Sequence, residues 1–242
     1  MTDHLRVLGE DGERFAQAAG KDLAAHVPSC PEWSMRDLVV HLGQVHRRWT
    51  ERARPEGTQK PGVPDEVVAP PADAAAAALL DWYREGLAGL VALLDGIDPD
   101  RPTWNWTGRD QRSAWVRRRM AQETAVHRWD AQNAVGDAEA IAPPAFAADG
   151  VDEVLRVWLP DEWTGPSGSV HLHSTDTDGE WLVRLGPDGP VVEDGHSKAD
   201  IAVRGTASDL DLVLWGRYPP KRLEHSGDGR IFDAFLAWLR ED

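Results

Sequence analysis

The sequence has few of the features that mark secreted or membrane proteins. It contains a single cysteine, Cys30, so it forms no intrachain disulfide, and a secreted disulfide framework is excluded. No stretch approaches the roughly 20 apolar residues of a membrane span. Charged residues interrupt segment 1–15, where a signal peptide needs an apolar core. These absences predict a soluble, unprocessed protein in the reducing cytoplasm.

Positive charge is also scarce. Lysine and arginine together number 26, against 41 aspartate and glutamate residues, which gives a formal net charge of −15. A surface of that sign repels phosphate backbones and anionic lipid headgroups. We therefore expect no nucleic-acid partner and no membrane partner. The 242 residues are enough for one large domain or two small ones with a buried core.

The first half of the chain is predicted to be a four-helix bundle, because apolar residues recur at three- and four-residue spacings. Ser34 and Asp37 form a capping-box pattern at the start of the second helix, and Gly136 suits a left-handed cap after the fourth. A proline-rich loop at 54–72 and a tryptophan-containing loop at 95–110 separate the later helices. The predicted helices cover residues 3–25, 34–53, 73–94 and 111–135.

The character of the sequence changes after residue 137. A linker precedes a helix predicted at 146–159, and short alternating segments broken by Asp-Gly turns then predict a small antiparallel sheet. Ser208 and Asp211 resemble a helix start, and residues 231–239 have the spacing of a closing amphipathic helix. The predicted strands cover 169–174, 181–185, 191–192 and 201–204. The fold class is therefore α+β, with a helical bundle at 1–137 and a small α+β domain at 145–242.

Three residues of the bundle are candidate metal ligands. Glu123 and His127 are four residues apart, so both project from one face of the fourth helix. His41 lies in an apolar run of the second helix, where an imidazole needs a polar partner or a ligand. Two imidazoles and one carboxylate leave one position of tetrahedral zinc open, as catalytic sites require. The alternatives are a surface hydrogen bond between Glu123 and His127 and a core histidine at position 41.

The same criteria apply to three neighbouring residues. Asp130 follows His127 by three residues and is either a carboxylate that orients this histidine or a surface acid. His46 lies about 140° around the helix from His41, so it should point elsewhere. Cys30 is expected to be a small structural thiol rather than a ligand.

The second half of the chain offers weaker candidates. Arg217 is a candidate catalytic residue, because a guanidinium binds a carboxylate of a substrate or thiol cofactor bidentately; a structural ion pair is the alternative. Four histidines in this half are expected to be exposed strand and turn residues: His171, His173, His196 and His225.

Two segments of the bundle resemble a known family. CPEWSMRDLVVHLG (30–43) and ETAVHRWDAQNAVG (123–136) are similar to the signature segments of the mycothiol-dependent maleylpyruvate isomerase-like family, a branch of the DinB-like metal-dependent bundles. Segments 200–217 and 227–239 resemble its C-terminal α+β domain. The resemblance implies a zinc or similar divalent ion held by His41, Glu123 and His127. It also implies mycothiol, a low-molecular-weight thiol, as cofactor or group acceptor.

The implied function is a metal-dependent isomerase or thiol transferase that acts on a small electrophile through a thiolate. Two other functions stay open at this point. The same ligands suit a thiol-independent hydrolase in which the ion activates water. Alternatively, they form a hydrogen-bond network in a noncatalytic module that binds a small ligand or a protein. We expect a monomer or a small homo-oligomer; the substrate and the metal are not specified by the sequence.

Overall fold

The structure, a computed structural model, describes residues 3–62, 67–159 and 161–239. The chain divides into two compact units, residues 1–139 and 140–242. Residues 63–66 of the predicted proline-rich loop lie outside the described residues. In the part of the chain that the structure describes, no helix is both long and apolar enough to cross a membrane.

The described residues of the first unit form four helices, which confirms the predicted bundle. The capping box is present: the Ser34 hydroxyl accepts the Asp37 N–H, and the Asp37 carboxylate accepts the Ser34 N–H at 2.9 Å. Gly136 has a φ of 79° and follows the last turn of the fourth helix, as predicted. The helices are α1 (His4–Ala19), α2 (Met35–Ala53), α3 (Ala76–Asp95) and α4 (Ser113–Ala134).

α1 is shorter than predicted and ends at Ala19 rather than near residue 25. The N–H of Gly20 closes the last turn on the carbonyl of Ala16 at 3.0 Å. Beyond it, the Asp22 carboxylate accepts the N–H of Ala24 at 2.9 Å. Such a local side-chain turn competes with helical hydrogen bonds, so the helix stops although apolar residues continue.

α4 is buried on nearly every side and packs against α1 and α2. Its Arg128 is fully buried, with Nε 3.6 Å from Oδ1 of Asp11 on α1. The same guanidinium donates to Gln132 Oε1 at 2.8 Å and to the Glu139 carbonyl at 2.7 Å. Because a buried charge needs such partners, these bonds fix α4 within the unit.

The second unit contains a five-stranded mixed sheet within residues 161–239. The strand order is β3-β2-β1-β4-β5. The antiparallel prediction is wrong for one pairing: β1 and β4 are parallel, with Val170 opposite Ile201. The reason is that residues 195–200 lead from β3 past β2 and β1 instead of forming a hairpin. The strands are β1 (Gly168–Ser174), β2 (Glu180–Leu185), β3 (Val191–Asp194), β4 (Ile201–Gly205) and β5 (Glu224–Gly227).

The helices of the second unit pack on one face of this sheet. Val170 and Leu172 of β1 share a buried core with Phe232 and Phe235 of the last helix. The next helix after β4 begins before the predicted Ser208, because Thr206 is its N-cap and accepts the N–H of Asp209. The helical segments are α5 (Pro144–Glu153), a π-helical turn (Val154–Trp158), α6 (Ala207–Leu214), a 3-10 turn (Pro220–Arg222) and α7 (Gly229–Leu239). The α+β fold class is confirmed.

Candidate metal centre

The side chains of His41, Glu123 and His127 lie together in the first unit. Nε2 of His41 and Nε2 of His127 are each 3.5 Å from Oε1 of Glu123. One ligand atom from each residue lies within 4.8 Å of the others. The two imidazole rings meet edge to face, with centroids 5.1 Å apart. The structure therefore brings together the three residues that the sequence proposes as ligands.

The two helices position these side chains for simple geometric reasons. Glu123 and His127 are one helical turn apart on α4, so their heads meet on the same side. His41 comes from α2, which packs against α4. The segment before α2 adds a wall: the Trp33 ring lies 4.8 Å from the ring of His41.

The negative charge of Glu123 is stabilised by Arg119, a residue that the sequence analysis missed. Burial alone would raise the pKa of Glu123, but the Arg119 guanidinium and the hydrogen bonds of His127 and His41 hold this pKa well below its usual range. Arg119 donates to Oε2 of Glu123, so Oε1 is the oxygen that faces the two histidines. The i, i+4 spacing of 119 and 123 was the available signal.

Asp130 lies directly behind His127. Its Oδ2 is 2.9 Å from Nδ1 of His127, and its Oδ1 accepts the Ser29 hydroxyl at 2.5 Å. Burial alone would lower the pKa of His127, but hydrogen bonds to Asp130 and Glu123 raise it to about 9. Asp130 is fully buried. These are the contacts expected of a carboxylate that orients His127, and a functional role for Asp130 stays a prediction.

The donor set suits a divalent transition metal. Neutral imidazole nitrogen and carboxylate oxygen are ligands that zinc prefers, at bond lengths of about 2.1 Å. Two donors of a tetrahedral site are then about 3.4 Å apart. The distances of 3.5 Å from Glu123 to each histidine agree with that spacing. The His41 side chain is 35% exposed, which leaves an open side for a further ligand.

His46 lies outside this ligand cluster, as predicted, but it also faces α4. It is completely buried, and its Nε2 and the Thr124 hydroxyl are hydrogen-bonded at 2.9 Å. Burial lowers the pKa of His46 to about 3, so the imidazole is neutral. Sequence periodicity gave no signal for this contact, because it depends on how α2 docks on α4.

The remaining predicted residues lie elsewhere. Cys30 is partly buried in the turn before α2, where its carbonyl accepts the N–H of Trp33 at 2.8 Å, and it is outside the cluster of metal-ligating residues. Arg217 follows α6 in the second unit and donates to the Trp215 carbonyl at 2.8 Å. A catalytic role for Arg217 stays a prediction.

Comparison with known proteins gives the family. Residues 5–132 match the family model described as "Mycothiol maleylpyruvate isomerase N-terminal domain", and residues 145–234 match the one described as "MDMPI C-terminal domain". The chain belongs to the mycothiol maleylpyruvate isomerase family. The resemblance seen in the sequence is confirmed, and membership in a family named for an isomerase places the chain among enzymes.

Two solved structures share the fold of this family member. A crystal structure of a histidine-to-alanine mutant of the mycothiol-dependent maleylpyruvate isomerase has a TM-score of 0.63 at 14% identity. A second crystal structure of the mycothiol-dependent maleylpyruvate isomerase has a TM-score of 0.59, also at 14% identity. Both alignments cover 93% of this chain and 92% of the other. No curated protein sequence matches the chain significantly.

Proposed function

We propose that the protein is a metal-dependent and mycothiol-dependent enzyme that isomerises a small electrophile or transfers the thiol to it. The observation that carries the proposal is the convergence of His41, Glu123 and His127 in a member of this family. The related crystal structures are described as those of a mycothiol-dependent isomerase. The support for the thiol thus comes from the relatives, and the support for the metal ligands comes from this chain.

A divalent ion, most simply zinc, would be held by Nε2 of His41, Nε2 of His127 and Oε1 of Glu123. When bound, such an ion lowers the pKa of a coordinated thiol and so supplies a thiolate at neutral pH. Two neutral imidazoles and one carboxylate compensate only one of its two positive charges. The set of ligands therefore favours an anion in the remaining position.

The surrounding residues orient the proposed ligands for metal binding. Arg119 keeps Glu123 ionised and occupies its outer oxygen. Asp130 accepts the Nδ1–H of His127, which leaves the lone pair on Nε2 for the metal. Trp33 covers one side of His41 and limits the approach of water and substrate on that side. Preorganised ligands of this kind need little rearrangement on binding.

The test is cobalt reconstitution of the metal-free protein, followed by one equivalent of mycothiol. We expect one ion in the first unit and a thiolate-to-cobalt charge-transfer band on addition of the thiol. His127→Ala and Glu123→Gln should lose both signals. His225→Ala, which removes an exposed histidine on β5, is the matched control and should keep them.

Product analysis then separates the two reactions. Isomerisation returns the thiol unchanged, whereas transfer consumes it and leaves a thioether. A metal that binds without any thiolate band would overturn the thiol proposal and favour the hydrolase. A wild-type protein that takes up no metal at these ligands would overturn the metal proposal and favour a noncatalytic hydrogen-bond network.

A further inference from the structure

A second cluster of metal-ligating side chains lies in the second unit, on the sheet face opposite the apolar core. His171, His173, Glu180 and His196 each offer one ligand atom, and these four atoms lie within 4.8 Å of one another. We propose that this cluster binds a divalent transition metal of the zinc class as a closed, four-ligand structural site. The proposal is independent of the proposed function, because its residues belong to a different unit.

The register of the first two strands places three of the four ligands. His171 and His173 are two residues apart on β1, so they point to the same face of the sheet. Glu180 lies directly opposite His173 in the antiparallel pair of β1 and β2. Nδ1 of His173 is hydrogen-bonded to Oε1 of Glu180, and Nε2 of His171 is 4.0 Å from Oε2.

The connection between β3 and β4 supplies the fourth ligand. Gly195 has a φ of 98°, a conformation that glycine adopts without strain, and its N–H donates to the Glu180 carbonyl at 3.0 Å. The next residue, His196, has Nδ1 3.5 Å from Oε1 of Glu180. Its ring meets that of His171 at right angles, with centroids 5.0 Å apart.

The other end of the same connection is bonded to the same sheet face. Asp200 accepts the hydroxyl of Ser169 at 2.7 Å, and its own N–H donates to that hydroxyl oxygen at 3.0 Å. Ser169 precedes His171 by two residues on β1 and so shares its face. Residues 195–200 are therefore held over the histidines at both ends.

The buried histidine provides the observation that points to a ligand. His171 is only 4% exposed, and its Nε2 has no hydrogen-bond partner among the residues that the structure describes. The expectation that this histidine is exposed is wrong. Buried polar atoms without partners are rare because they lose their contacts with water. This nitrogen lies 4.0 Å from Oε2 of Glu180, so an ion in the cluster would satisfy it.

The donor set decides the class of ion and its role. Three imidazole nitrogens and one carboxylate oxygen suit zinc and its neighbours, and not calcium or magnesium, which prefer oxygen ligands. Four protein ligands complete a tetrahedral shell, which is typical of structural rather than catalytic zinc. An ion here would tie residues 195–200 to β1 and β2, so metal should stabilise the second unit.

The test measures metal stoichiometry in the full-length protein. Metal-free wild type, His196→Ala, His171→Gln and His127→Ala are equilibrated with zinc at a series of buffered free concentrations, and bound zinc is measured by elemental analysis. The His196 side chain is 79% exposed, so its removal leaves the fold intact even if His171→Gln does not fold. His225→Ala is the matched control, since this exposed histidine is outside the cluster.

We expect wild type and His225→Ala to bind two ions per chain. His196→Ala and His171→Gln should lose one ion, or bind it at least about tenfold more weakly. His127→Ala should lose the other ion, so the zinc occupancy of each site is measured separately. The proposal is overturned if His196→Ala and His171→Gln bind zinc as wild type does at every concentration. That result would leave the proposed function intact.

Discussion

Replacing Asp130 by asparagine tests how a buried carboxylate controls His127 as a proposed metal ligand. The carboxylate is fully buried, 2.9 Å from Nδ1 of His127, and it also accepts the Ser29 hydroxyl. Asparagine keeps the shape of the side chain and still accepts the His127 N–H. The substitution removes the negative charge and, because the amide nitrogen cannot accept, also the hydrogen bond from the Ser29 hydroxyl, which Ser29→Ala removes separately.

The expected magnitude follows from the pKa of His127, which is about 9 in the metal-free protein. With that pKa, about one His127 in a hundred is neutral at pH 7, and a metal must displace the proton from the rest. Wild-type metal affinity should therefore rise about 50-fold between pH 7 and pH 9. Without the carboxylate the pKa moves toward its ordinary value of about 6.5, and this rise should shrink below about tenfold.

The assay is competition for zinc against a chromophoric chelator of known affinity, between pH 7 and pH 9. At pH 9 proton competition is small in both proteins, so the lost carboxylate contact should weaken binding by about 10- to 100-fold. Ser29→Ala is the matched control, because it leaves the charge of Asp130 in place and should keep the wild-type pH dependence. Equal pH dependence in wild type and Asp130→Asn would refute the reasoning.

Three further predictions concern the stability of the first unit. Asp11→Asn leaves the buried charge of Arg128 without its ion-pair partner and should lower the free energy of unfolding in urea by about 3 kcal/mol. His46 is neutral when folded, with a pKa of about 3, so its contribution to stability is present above about pH 6.5 and is lost as the pH falls toward 3. Between pH 8 and pH 5 this loss should be about 2 kcal/mol in urea unfolding, and His46→Gln should abolish it. Ser34→Ala removes the N-cap of α2 and should cost about 1 kcal/mol in thermal or urea unfolding.

Each of these variants has a control at an exposed position. Glu10→Gln on α1, His225→Gln and Ser226→Ala on β5 should each change the free energy of unfolding by less than about 0.5 kcal/mol. An Asp11→Asn or Ser34→Ala variant as stable as its control would contradict the assigned role. For His46→Gln, the contrary result is a pH dependence equal to that of wild type.

Local sequence patterns were sufficient to predict most helices of the first unit and to single out the residues of its candidate centre. The capping box at Ser34 and the glycine at 136 are short-range signals, and Glu123 and His127 are neighbours through helical periodicity alone. His41 was recognisable because an apolar run surrounds it. The contact between His46 and Thr124 was not, since it depends on the docking of two helices.

The second unit was less predictable because its sheet depends on long-range pairing. β5 is exposed along its length, so it carries no alternating apolar signal. The parallel pairing of β1 with β4 depends on the path of residues 195–200, which the sequence does not reveal. For the same reason the histidines at 171 and 196 read as separate surface residues, although the fold brings them into ring contact.

The division of the first centre between two helices links metal capture to assembly of the bundle. Glu123 and His127 are neighbours as soon as α4 forms, whereas His41 joins them only when α2 docks on α4. An isolated α4 therefore offers two donors, and only the docked pair offers three. Because the full donor set exists only in the assembled bundle, zinc bound at the proposed centre would favour that state over partly folded ones. The ion would then stay bound only in chains whose α2 and α4 have packed correctly.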